Sequence, residues 1–147
     1  MEFFLAGPVL ILFMMGIIQL SLIWAGQSAV ETASHFAARR FSHLARIDFR
    51  KAKSAALAEA SSICVHRPGG TWGTARLTSI DFERRGWKGV PQTAAAGDAF
   101  CLRLTHWVEL CVPWVNGVLY LVSPTGKTRI GGRYFLLLQS ARWVTVE

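Results

Sequence analysis

From Phe3 to Ala25 the chain carries no charged residue, and only Gln19 and Ser21 break the apolar run with a polar side chain. A run of about 23 such residues makes roughly 34 Å of α-helix, enough to cross a hydrocarbon core of about 30 Å. A removable secretory signal would start with basic residues and carry a shorter apolar core of about 7 to 15 residues. Neither feature is present, so residues 1–26 are expected to be a retained, single membrane-spanning half-helix.

The remaining chain carries all sixteen Lys and Arg residues, and the formal net charge is +7. Such a surface attracts anionic lipid, nucleic acid or an acidic partner. The first basic residues after the run are Arg39, Arg40, Arg46, Arg50, Lys51 and Lys53. Taken alone, the positive-inside rule would put this side in the cytoplasm.

Residues 27–66 contain no proline, are rich in alanine, and repeat apolar side chains at Val30, Ala33, Ala37, Phe41, Leu44 and Ala45. That spacing predicts an amphipathic helix continuing from the span. The two halves are expected to form one rod of about 60 residues. Ser21, Ala25, Ala29, Ala33 and Ala37 recur every four residues and make a stripe along which another helix can approach closely. The competing reading is that alanine is simply the best helix former. Pro8 removes one amide donor early in the span and is expected to loosen the helix there. Trp24 fits a membrane-interface belt.

Proline and paired glycines at Arg67-Pro68-Gly69-Gly70 are expected to stop the helix, and the apolar period then changes from about 3.6 to 2. LTSIDF and FCLRLTHWVELCV alternate as half-buried strands do, with Pro113 ending the second. Asn116-Gly117 reads as a hairpin turn between CVPWV and VLYLV, Ser123–Gly126 as a second turn, and RYFLLLQSARWVTV as one or two closing strands. Residues 67–147 are therefore expected to be an antiparallel sheet domain of about four strands, giving an α+β fold with the sheet packed on the outer half of the helix.

Signals for catalysis or cofactors are weak. Gly126-Lys127-Thr128 resembles the tail of a phosphate-binding loop, but Leu121 stands where that loop needs its first glycine. His35 and His43 are too far apart for one helical metal clasp, and the cysteines lack zinc-finger spacing. No enzyme, cofactor or metal is expected. Cys64, Cys101 and Cys111 leave a disulfide of Cys64 with Cys101 or with Cys111, or buried thiols, as the alternatives. Six tryptophans beside basic residues raise single-stranded nucleic-acid stacking, against the plainer reading that Trp72, Trp87, Trp107, Trp114 and Trp143 are core and sheet residues.

Glu2 stands at the edge of the apolar run. On the residues alone two roles stay open: pairing with an α-amino group of a neighbouring subunit, or snorkelling at a helix N-terminus where the dipole favours an acid. The segment Glu2-Phe3-Phe4-Leu5-Ala6-Gly7-Pro8, followed by Gly16-Ile17-Ile18, by Gln27–Ala33 and by Ala37-Ala38-Arg39, resembles the N-terminal region of TadE-like minor pilins of the tight-adherence (Flp, type IVb) pilus. Across about 40 residues it has that family's acid-aromatic pair, its proline six residues on, and its glycine-isoleucine step.

The resemblance implies a pilin-like, non-enzymatic minor pilin or pseudopilin, with assembly contacts at Glu2, Phe3, Pro8, Gly16 and the small-residue stripe. It implies other pilin subunits, the inner membrane, the assembly platform and a prepilin peptidase as partners. It also implies a basic leader ahead of the acid, which here is the second residue; such a leader would send the basic domain to the periplasm and resolve the charge conflict. Two rivals stay open. One is a pilus-tip module binding DNA or a surface, and the other an unrelated single-span protein with a cytoplasmic basic domain.

Overall fold

The computed structural model describes residues 2–65, 76–84 and 94–147, with side chains from Ala6 onward. The expected stop at Arg67–Gly70, together with Trp72 and Trp87, lies outside the described residues. Two helices come first, α1 (Glu2–Leu44) and α2 (Phe49–Ile63). They are followed by β1 (Thr78–Arg84), β2 (Ala99–Glu109), a short α3 (Val115–Val122), β3 (Lys127–Ile130) and β4 (Arg133–Thr145). The strands form one sheet in the order β1-β2-β4-β3, and the pairings β1–β2 and β3–β4 are antiparallel. The fold is α+β: a long N-terminal helix followed by a small antiparallel four-stranded sheet.

The long rod is interrupted. After Leu44 the amides of Ile47 and Asp48 both turn back to the Leu44 carbonyl, and Asp48 adopts an extended backbone at φ −155°. Its carboxylate accepts from the amides of Arg50 (2.9 Å) and Lys51 (3.1 Å), capping a new helix. An N-cap of this kind satisfies amides that a helix start otherwise leaves unpaired. The break carries Phe49 back beside Phe41, with ring centroids 5.3 Å apart.

Compact packing divides the chain into two units, residues 27–106 with 138–147, and residues 1–26 with 107–137. The C-terminal segment 67–147 thus contributes to both.

In the first of these units, Val30, Ala33, Ala37, Phe41 and Ala45 make the buried face of α1, and α2 buries Phe49, Ala52, Ala56 and Ala60. On β1 and β2 the buried pairs Ile80↔Leu104 and Phe82↔Leu102 face these helices, alternating with the exposed pair Asp81↔Arg103. Phe41 is the hub: it stacks on Phe82 at 3.9 Å and meets Phe100 edge-on at 5.8 Å. The end of β4 lies along α1, where Ser34 Oγ shares a 3.0 Å hydrogen bond with Ser140 Oγ and Ser42 Oγ donates to the Thr145 carbonyl at 2.7 Å. Below the sheet, Thr78 Oγ1 and His106 Nδ1 share a buried hydrogen bond of 2.8 Å.

In the second unit, the hairpin expected at Asn116-Gly117 is instead α3. Trp114 takes a positive φ of 72°, which turns the chain after Pro113, and the Asn116 amide then donates to the Val112 carbonyl. Lys127 Nζ donates to the carbonyls of Tyr120 (2.9 Å) and Leu121 (3.3 Å), closing the C-terminal end where a cation is favoured. That contact also explains Gly126-Lys127-Thr128, whose lysine serves a helix end. The tight turn from β3 to β4 is made by Gly131 and Gly132, both with positive φ, as a two-residue hairpin loop requires.

Candidate functional site

The helix end expected to carry assembly is the part of α1 that its own fold leaves open. Only 11 % of its most apolar 18-residue window is buried, and the helix is long and apolar enough to cross a membrane. Val9, Leu10, Phe13 and Trp24 are each more than 60 % exposed. A water-soluble fold would bury such a surface, because each large apolar side chain left in water forgoes roughly 1.5–3 kcal/mol. The exposed band calls for lipid or for other apolar helices.

The structure sorts the predicted contact residues. Glu2 and Phe3 lie in the first turn of α1, and their side chains are outside the described ones. Pro8 is exposed inside the helix and, with Ile11, Leu12, Met15 and Trp114, lines an apolar cleft of about 360 Å³. A Cβ at Gly16 would meet open space, so nothing within the chain requires a glycine there. The stripe divides: Ser21 and Ala25 are exposed and Ala29 is half-buried, whereas Ala33 and Ala37 are wholly buried. Ala33 and Ala37 are covered within the chain, so the part of the stripe open to another helix ends near Ala29. Ser34 and Ser140 share a hydrogen bond between α1 and β4 close by.

Gln19 is a contact that the sequence flagged only as an interruption. It is fully buried, its Oε1 accepts from the Val112 amide at 2.8 Å, and its Nε2 has no hydrogen-bond partner among the described residues. A lone amide inside an apolar run was the available signal. Its partner could not be read, because it is a backbone amide 93 positions away.

No disulfide joins the three cysteines, so of the alternatives left open the structure shows the one without a bridge. Cys64 caps α2 and is buried on the helix side of β1 and β2. Cys101 pairs with Glu83 on the opposite face from Phe100 and Leu102, which strand alternation keeps away from Cys64. Burial pushes the Cys64 thiol up to about 11, so it is protonated and unreactive at neutral pH. Cys111 is exposed, beyond the end of β2. Among the described residues no three His, Cys, Asp or Glu side chains gather as a metal site would need.

Of the described outer tryptophans, Trp107 is half-buried in β2 and Trp143 lies in β4, but two of them are turned to the surface. Trp114 is 79 % exposed and Trp143 60 % exposed. Neither is needed to fill the interior, which the phenylalanines and Leu102 and Leu104 already occupy.

A long helix with an uncovered apolar end, long and apolar enough to cross a membrane, is followed by a small antiparallel sheet. Residues 1–39 match the model of a family described as TadE-like protein. The match covers the N-terminal 39 residues and is consistent with a Tad pilus-system protein. Neither the curated proteins nor the solved structures yield a match.

Proposed function

We propose that this chain is a non-enzymatic minor pilin or pseudopilin. In this reading α1 holds the subunit in the bacterial inner membrane, the sheet domain lies in the periplasm, and the same helix later packs against other pilin subunits in the filament or its initiating complex. The observation that carries the proposal is coincidence: the TadE-like match, residues 1–39, includes the stretch from Val9 to Trp24, whose large apolar side chains are mostly exposed. Glu2 would pair with a neighbour's α-amino group where water is excluded and so fix axial register. Ser21, Ala25 and Ala29 would set the closest helix contact. The assembly platform and a prepilin peptidase are the further partners this role requires.

The test uses the full chain in a piliated strain. The wild-type protein should fractionate with the inner membrane and with sheared filaments, and Glu2→Ala should keep the first location and lose the second. A wild-type chain recovered only in the soluble fraction, or Glu2→Ala incorporated as well as wild type, would end the proposal.

Trp143, exposed next to the exposed Arg142, favours a second reading in which the domain binds nucleic acid at a pilus tip. A gel shift that weakens steeply with salt and is lost in Trp143→Ala would establish it.

A further inference from the structure

Between Glu109 and Lys127 lies LCVPWVNGVLYLVSPTG, a segment without a charged side chain. It packs in one unit with the apolar start of α1. Two contacts make that packing specific. Gln19 Oε1 takes the Val112 amide, and Trp114 shares the cleft with Pro8, Ile11, Leu12 and Met15.

Part of the segment faces outward and is apolar, whereas Leu110 and Val115 are buried. Besides Trp114, α3 exposes Val118 (58 %), Leu121 (76 %) and Val122 (75 %). Apolar stretches too short to span a bilayer are typical of re-entrant or interfacial segments, and backbone at membrane depth must have its polar groups satisfied by protein. Here they are. The Val115 and Asn116 amides bond to the Pro113 and Val112 carbonyls, Ser123 donates to Leu119, and Lys127 covers Tyr120 and Leu121.

Charge is confined to the two ends. Glu109 meets Arg133 at 3.5 Å, Lys127 lies 5.3 Å over the Tyr120 ring, and Arg129 lies 5.2 Å over the Tyr134 ring. Cations interleaved with tyrosines at the mouth of an apolar segment suit the headgroup level of an anionic leaflet.

We infer that residues 110–126 are a second membrane-embedded element, a re-entrant segment that enters the acyl region of an anionic bilayer beside α1 and is fixed to it through Gln19. The inference rests on the reading of α1 as a membrane span. It adds that the unit containing residues 107–137 meets the membrane at two places.

Full-length protein in vesicles of phosphatidylethanolamine and phosphatidylglycerol with brominated acyl chains tests this directly. Trp24→Phe leaves Trp114 as the membrane reporter, and Trp114→Phe leaves Trp24 to report on α1. In the Trp24→Phe protein, bromine quenching should persist and then fall about twofold or more when Trp114→Phe is added, and acrylamide should fail to reach Trp114. Leu121→Asp with Val122→Asp should keep the far-ultraviolet circular dichroism and reduce the quenching of Trp114. Acrylamide access to Trp114 would overturn the inference. Shielding of Trp114 from both bromine and acrylamide would overturn it too, in favour of a protein partner. If Trp24 in the Trp114→Phe protein also escapes bromine, it is the span reading that has failed.

Discussion

Replacing Phe41 by alanine should damage the sheet domain more than any exposed change on the same helix. Phe41 is fully buried, with Phe82 stacked on it at 3.9 Å and Phe49 and Phe100 edge-on at 5.3 and 5.8 Å. Phe→Ala in a packed core costs roughly 3–5 kcal/mol, and the aromatic pairs, each about 0.5–1.5 kcal/mol, place this site toward the upper end. Against a typical total of about 5–15 kcal/mol, that is a large share of the stability. At about 1.4 kcal/mol per tenfold, amide protection in β1 and β2 should fall by roughly two to three and a half powers of ten. The assay is hydrogen exchange by mass spectrometry on the full chain in detergent micelles. Arg40→Ala, exposed one residue away, is the control and should change stability by less than about 0.5 kcal/mol. A loss of protection below tenfold for Phe41→Ala would refute the assignment of Phe41 as the hub joining α1, α2 and the sheet.

Other expectations follow from the same structure. Asp48→Ala should cost about 1 kcal/mol in thermal or urea unfolding by uncapping α2, whereas Asp48→Asn should cost much less. Ala33→Leu should overpack the buried face of α1 and cost about 1–3 kcal/mol. Ala25→Leu, at an exposed position, should leave unfolding unchanged and lower incorporation into filaments. Cys64 should resist alkylation at pH 8 in the folded chain. Because burial raises its folded pKa, the unfolded chain gives up that proton first, so the contribution is intact below pH 9.0 and is lost as pH rises toward about 11. A Cys64→Ala variant should show a flatter decline in stability over that window.

Much of this could be read from periodicity. The three-and-four spacing of Val30, Ala33, Ala37, Phe41 and Ala45 marked the face that is buried, and the alternation of Phe100, Leu102, Leu104 and His106 marked the inner face of β2. Local signals failed where tertiary context outweighed them. Asp48 ahead of Phe49-Arg50-Lys51 was an N-cap signature, but the unbroken alanine-rich pattern around it masked the break. Asn116-Gly117 is a strong hairpin signal, yet Val115 buries its side chain, the turn falls earlier at Trp114, and Lys127 closes the helix end. Glycine in a helix costs only about 1 kcal/mol, which such contacts can outweigh. The candidate site was legible as an apolar run with an acid at its edge. That part of the small-residue stripe is covered within the chain was not, because Ala33 and Ala37 would look the same against a neighbouring subunit as against the chain's own core.

The central claim is that the uncovered end of α1 serves contacts outside the chain while its other end serves the fold. Photo-crosslinking residues at position 13 and, separately, position 37 of the full-length protein in piliated cells test it most directly. Phe13 is 66 % exposed and Ala37 fully buried. The account predicts adducts from position 13 to the N-terminal helices of other pilin subunits, with position 37 linking only within its own chain. Intermolecular adducts from position 37, or none from position 13 in assembled filaments, would contradict it.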